Sequence, residues 1–230
     1  MIHITFDDKV KIGLQYILET LHGCSPFGIE RIRRLKFYAP EERGALEEEL
    51  YNVEGLVRHA EELKTAMDKT VILLCQMKDI RNSFKRCAAG ETPDHVELFE
   101  MKGFLRRLEG ILPLFEEMNE KVAFRGLSFH APKEALAVLD PDGTGSRGFY
   151  IPDSATPKLR EIRAAKKKVE EKLFHAAADA EKDELRIERT RICAEEDSEE
   201  TKVRAMMGAA LAPMVEDILA DAENVGRLDF

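Results

Sequence analysis

The sequence predicts an all-α fold: a helical core bundle from which an antiparallel pair of long helices projects. Three observations carry this. Apolar residues recur at helical spacing through most of the 230 residues. Charged residues make up 34% of the chain, Trp is absent, and Gly and Pro number only 14 and 9, a balance that favours solvated helices over sheet and turn. The breaks between periodic runs coincide with Pro, Gly or capping residues. A hydrophobic content of 44% is enough for a buried core.

Val10, Leu14, Ile17, Leu18 and Leu21 share one face of a first helix, with Asp7 as its expected cap. Ser25-Pro26 restarts the chain as N-cap and N1, and Pro40 with Glu41-Glu42 opens a helix striped by Leu46, Leu50, Val53 and Val57, which Gly55 weakens without ending. From Glu61 to Ala89 a heptad-like seam runs through Leu63, Met67, Val71, Leu74, Met77, Arg81 and Phe84; Arg81 is its polar exception, and Gly90 is the stop. Thr92-Pro93 is the expected start of the next helix, whose seam is Phe104, Leu108, Ile111, Phe115, Met118 and Val122, with Pro113 expected to kink or divide it. A short helix follows at Lys133 to Leu139. Residues 140–156, with Pro141, Pro152, Gly143, Gly145 and Gly148, form the extended loop.

Pro157 opens a charged helical stretch that continues to the C-terminus and is clearly interrupted only by Pro213. A single rod from Pro157 to Ala212 would run about 84 Å at roughly 1.5 Å per residue, too long for a compact domain to support. The chain therefore turns back, near Asp179 to Asp183 or near Glu195 to Glu199. The resulting division is 1–139 helical core, 140–156 connecting loop, and 157–230 long helices returning to the core.

Composition narrows the function. Cys24, Cys75, Cys87 and Cys193 show neither a C-x-x-C pair nor disulfide-scaffold spacing, so they read as reduced thiols. The N-terminus lacks the basic start and apolar run of a signal peptide, and no segment has the roughly 18 consecutive apolar residues of a membrane span, so the expectation is a cytoplasmic protein with no membrane partner. A net charge of -9 argues against a general nucleic-acid coat, since phosphate binding draws on clustered Lys and Arg.

Catalytic signatures are missing. Gly143-Thr144-Gly145-Ser146-Arg147-Gly148 matches G-x-G-x-x-G, but no strand precedes it and Pro152 interrupts any helix after it, so it reads as loop. Asp140, Asp142, Thr144 and Ser146 imitate a calcium loop until Ile151 stands where its bidentate Glu belongs. No Gly-Lys pair occurs, so there is no P-loop. The six histidines form no metal motif, and Glu97 and Glu100 read as a solvated helix face rather than an acid-base pair. Site residues of the catalytic, cofactor-binding and metal classes are therefore none. After Pro157, seven basic residues, Arg163, Lys166, Lys167 and Lys168 among them, face only three acidic ones as far as Lys172, while residues 195–200 are strongly acidic. Either the two arms carry complementary charge or the basic helix tracks phosphate.

Several strings, taken in order, resemble the helical core and ascending lever of MutS-family proteins. They are Lys78-Asp79-Ile80-Arg81, Val96 to Lys102, Leu139-Asp140-Pro141-Asp142-Gly143, Phe149-Tyr150-Ile151-Pro152-Asp153-Ser154 and Leu159-Arg160-Glu161-Ile162-Arg163. Ile218 to Phe230 resembles the descending lever's return into the core. The resemblance implies a non-catalytic core and lever segment of a DNA-mismatch-repair-type ATPase, without the mismatch-recognition domain and without the ATPase domain that would hold ATP and Mg. Phe115-Glu116-Glu117 matches the repair enzymes' Phe-x-Glu wedge only inside a helix. The partners so implied are double-stranded DNA, bound weakly or conditionally through the backbone by Arg163, Lys166, Lys167 and Lys168, the ATPase domain of the same parent chain, and a second copy in a homodimer. The competing expectation is a stand-alone helical scaffold that binds a protein partner through its antiparallel arms.

Overall fold

The computed structural model describes residues 5–34, 38–143 and 150–230, and every regular element among them is helical. The fold is all-α. The elements are α1 (Phe6–Lys11), α2 (Leu14–Thr20), α3 (Pro26–Arg33), α4 (Arg43–Arg58), α5 (Ala60–Leu74), α6 (Arg81–Ala88), α7 (His95–Val122), α8 (Lys133–Leu139), α9 (Pro157–His175), α10 (Asp179–Leu211) and α11 (Val215–Asp229). Single 3-10 turns at Pro40–Glu42 and Ala212–Met214 lead into α4 and α11. The chain forms two compact units whose limits differ from the division drawn on sequence: residues 1–82, 103–136 and 214–230 make the first, and 83–102 with 137–213 the second.

In the first unit the α7 seam is buried as its spacing predicts, with Phe104, Leu108, Ile111, Phe115, Met118 and Val122 all in the core. Pro113 sits inside α7, and the helix continues through it. Leu63 and Ala66 of α5 pack on Met118 and Val122. Phe115 stacks on Phe124 and meets Phe129 edge-on. A Cβ at Gly55 would lie 2.5 Å from Val122, which is why α4 carries a glycine where it passes the end of α7.

The two ends of this unit meet at α3. The Asp229 carboxylate, at the end of α11, accepts from the Cys24 and Ser25 amides at 3.0 and 2.7 Å and from the Ser25 hydroxyl at 2.7 Å, while Ser25 Oγ accepts from the Gly28 amide as the expected N-cap. Arg31 bridges Glu49 and Glu223, and Arg227 also reaches Glu49 and donates to the Gly126 carbonyl. Arg81, the polar exception in the seam, donates to Glu30 and Asp79 and lies over the Phe27 ring.

Five local expectations are corrected. Thr5, not Asp7, caps α1 in a capping box with Asp8, and Gly13, at φ 75°, separates α1 from α2 where one helix was expected. The run from Glu61 to Ala89 is two helices, because after Leu74 the Asp79 side chain accepts from the Arg81 amide and starts α6 afresh. Asp94 and Glu97 form the reciprocal cap of α7 in place of Thr92. The stripes of α1–α2 and α4 do not enter the core: Val10, Ile17, Leu50, Val53 and Val57 are exposed.

In the second unit α9 and α10 pack together, with Ile162, Val169 and Ile192 buried between them and Leu185 against the cluster. Thr156 caps α9 by accepting from the Leu159 amide at 3.0 Å, and Pro157 takes N1 as expected. The return comes at residues 176–178, just ahead of the first expected turn, while Glu195 to Glu199 lie within α10. Lys102 and Asp140 form a buried ion pair at 3.4 Å.

Replacing Phe104 with Ala removes a fully buried ring at the centre of the α7 seam and is expected to cost about 3 to 5 kcal/mol. An unchanged midpoint in urea denaturation would refute the burial.

Candidate nucleic-acid interface

The sequence places its candidate phosphate contacts on α9, at Arg163, Lys166, Lys167 and Lys168. Helical spacing keeps Arg163, Lys166 and Lys167 within one arc of the helix and turns Lys168 away, so burial and partners, not spacing alone, distinguish them. Arg163 follows Ile162 at the seam and its side chain is only 12% exposed. Its guanidinium donates to Glu196 at 3.0 Å, to Glu200 at 2.7 Å and to Asp153 at 2.5 Å. It also donates to the Ile151 carbonyl and the Tyr150 hydroxyl, and lies over the Tyr150 ring at 4.6 Å. Lys166 donates to the other oxygen of Glu196 at 2.7 Å. One turn on, Glu170 accepts from Arg189 at 2.9 Å. As the numbers rise along α9 their partners fall along α10, so these pairs fix an antiparallel register.

Burial works against the charge on both partners. For Arg163 the bonds from Asp153, Glu200 and Glu196 outweigh it and raise the pKa. For Glu196 burial favours the neutral acid, and the bonds from Lys166 and Arg163 override it, so the carboxyl titrates below its ordinary value. Asp153 is lowered by its bond from Arg163 and then by that from Tyr150.

The structure therefore separates the four residues. Arg163 and Lys166 serve the complementary charge between arms. Lys167 and Lys168 stand exposed, without an ion pair among the described residues. The acidic partners were visible in the sequence as the run near Glu195 to Glu200, but Tyr150 and Asp153 were not assigned to the cluster. The nearest signal was the string Phe149 to Ser154 lying one turn ahead of a basic helix.

No protein-family model matches the chain, and no curated protein matches it. Its chemistry is therefore read from the residues. Among the described residues no group of three or more His, Cys, Asp or Glu could hold a metal ion, and no helix is long and apolar enough to cross a membrane. The G-x-G-x-x-G run falls mostly, and the calcium-like run by half, in 144–149, outside the described residues; of the described part, Asp140 pairs with Lys102 and Asp142 accepts from Ser154 at 3.3 Å. The four cysteines are free thiols.

Arg163→Met takes a guanidinium away from three carboxylates, leaving Glu196 with Lys166 alone, and is expected to destabilise the protein by about 3 kcal/mol, whereas Lys167→Met should stay within about 0.5 kcal/mol of the parent. Because Glu196 and Asp153 titrate below their ordinary values, the stability they supply is full above those values and is lost as pH falls through the lowered ones. Urea melts of both variants, at neutral pH and at pH 3, check both outcomes; equal loss at the two positions would contradict this account.

Proposed function

We propose that this chain is the non-catalytic core and lever segment of a MutS-like DNA-binding ATPase, coupling an ATPase domain elsewhere in the parent chain to engagement of DNA. One observation carries the reading. The α9–α10 pair is cross-linked along its length by Arg163, Lys166 and Arg189 to Glu196, Glu200 and Glu170, around a shared apolar seam. Such a pair moves as a body rather than as two flexible strands, which a mechanical coupler requires. The resemblance of the strings leading into α6 and on α7 and α9 gives the coupling its direction, by analogy.

In this reading the chemistry belongs to ATP and Mg in the ATPase domain. The present sequence has no Gly-Lys phosphate loop to hold them. Calorimetric titration with Mg-ATP is expected to show no saturable binding in the micromolar range; such binding would defeat the assignment of a non-catalytic segment.

DNA contact in this segment falls to Lys167 and Lys168, since Arg163 and Lys166 are engaged. With a net charge of -9 opposing it, duplex binding is weak and indifferent to mismatches. Two phosphate contacts predict a slope of log K against log salt near roughly -1.8. Fluorescence anisotropy should show that Lys167→Glu with Lys168→Glu abolishes binding while leaving the melting temperature unchanged. Tight binding that prefers a mismatch would be incompatible with the proposal.

A second reading is the scaffold, in which the arms grip a protein. It is favoured by Phe174, 84% exposed at the end of α9 beside the connection to α10, and by Ile187, 72% exposed further along α10. Phe174→Ala would leave DNA affinity untouched and weaken only a protein complex, which separates the two readings.

A further inference from the structure

Cys24 and Cys75 are distant in sequence and meet within the first unit. Cys24 lies in the link that enters α3, and Cys75 ends α5 as its C-cap. Their thiols are hydrogen-bonded to each other. The backbone is held on both sides of this contact. The Cys24 amide donates to Asp229 at 3.0 Å, and Gly23 lies so close to the first turn of α3 that a Cβ there would stand 2.6 Å from the Ile29 nitrogen. Across the contact the Cys75 amide donates to the Val71 carbonyl at 2.9 Å, and the amides of Gln76 and Met77 donate to Leu73 and Leu74. A disulfide forms only between cysteines whose side chains already face each other at short range, and this pair meets that requirement without backbone movement. The two thiols differ in their surroundings. Cys75 is exposed and Cys24 is half-buried. Burial, then the bond with Cys75 and the negative charge of Asp229, push the Cys24 thiol up to about 11, so it stays protonated at neutral pH. An oxidant in solution therefore meets Cys75 first, with Cys24 placed behind it.

We propose that Cys24 and Cys75 form an oxidation site, at which a hydroperoxide oxidises Cys75 and Cys24 then closes an intramolecular disulfide. With hydrogen peroxide the Cys75 sulfur attacks one peroxide oxygen. The O–O bond breaks, leaving a sulfenic acid on Cys75 and releasing water. The Cys24 sulfur then attacks the Cys75 sulfur. The S–S bond forms, the S–O bond breaks, and hydroxide departs with the Cys24 proton as a second water. The Asp229 carboxylate also bonds to the Cys24 thiol and is in place to pass that proton on. Two thiols lose two electrons, and one peroxide gains them. The new bond joins α3 to α5 at the corner that Asp229 already ties to α11. This inference does not rest on the reading of α9 and α10.

Peptide mapping of the full chain tests it, after reaction with an equimolar amount of hydrogen peroxide until the peroxide is consumed, and alkylation of the remaining thiols. The expected product is a Cys24–Cys75 cross-link within one chain, which dithiothreitol removes. In Cys24→Ser the Cys75 sulfenic acid has no thiol to resolve it, so its capture by dimedone should rise several-fold over the parent. Cys75→Ser changes an exposed side chain and should keep the fold and its helical circular dichroism. In that variant Cys24 should remain open to alkylation after peroxide, having lost its route of oxidation. A parent chain in which both cysteines can still be alkylated overturns the proposal. So does a cross-link that runs to Cys87, to Cys193 or to a second chain, or a dimedone yield equal in the parent and Cys24→Ser.

Discussion

The Asp229 carboxylate at the first turn of α3 is the contact on which the first unit depends. It joins residues 205 positions apart, and it does so where the unpaired amides of a helix N-terminus carry partial positive charge. Gly28 is what lets it approach, since a Cβ there would stand 2.0 Å from the carboxylate. The consequences spread from this point. With α3 held to α11, Phe27 lies edge-on to Phe104 at the centre of the α7 seam, and Arg31 is in place to bridge Glu49 of α4 and Glu223 of α11. Arg227 reinforces the same corner through Glu49. A contact of such long range forms only after the loop between its partners has closed, so α3 and α11 are expected to join late in folding.

How much of this was legible depended on whether a signal was local. The α7 seam could be read because six large apolar residues kept helical spacing, and Ser25 could be read as a cap because Pro26 follows it at N1. The Cys75–Ile80 break could not, since the apolar period runs on through Met77 and Ile80 and the break comes from one side chain, Asp79, competing for a backbone amide. Asp94 displaced Thr92 as the cap for a similar reason: its partner Glu97 lies three residues ahead and completes a reciprocal pair. Asp229 left no trace, because nothing near it in sequence marks it as the partner of Ser25. The α2 and α4 stripes show a different limit. Periodicity reports that a helix is two-faced, not that its apolar face is covered within the same chain.

The candidate site was half legible for the same reason. An excess of seven basic over three acidic residues on α9 reads equally well as a phosphate track or as one side of an ion-pair ladder, and only the register of α10 decides between them. Arg163 shows how that decision is made in energy. Its guanidinium spends nearly all its donors on three carboxylates, a carbonyl and a hydroxyl, and a group so satisfied gains little by exchanging them for a solvated phosphate. Lys167 and Lys168, four and five positions further along α9, carry no such commitment.

The connection between α9 and α10 is three alanines, Ala176, Ala177 and Ala178, with extended backbone at either end and neither Gly nor Pro. Nothing in that link sets the length of the arms. Their register is fixed further back, by Arg163 against Glu196 and Glu170 against Arg189. Growth or loss of the hairpin in matched seven-residue steps on both helices would leave those pairs and the Ile162–Ile192 seam in place. The arms thus have an end at which related chains can differ in reach without altering the base, and insertions there meet the least resistance from packing.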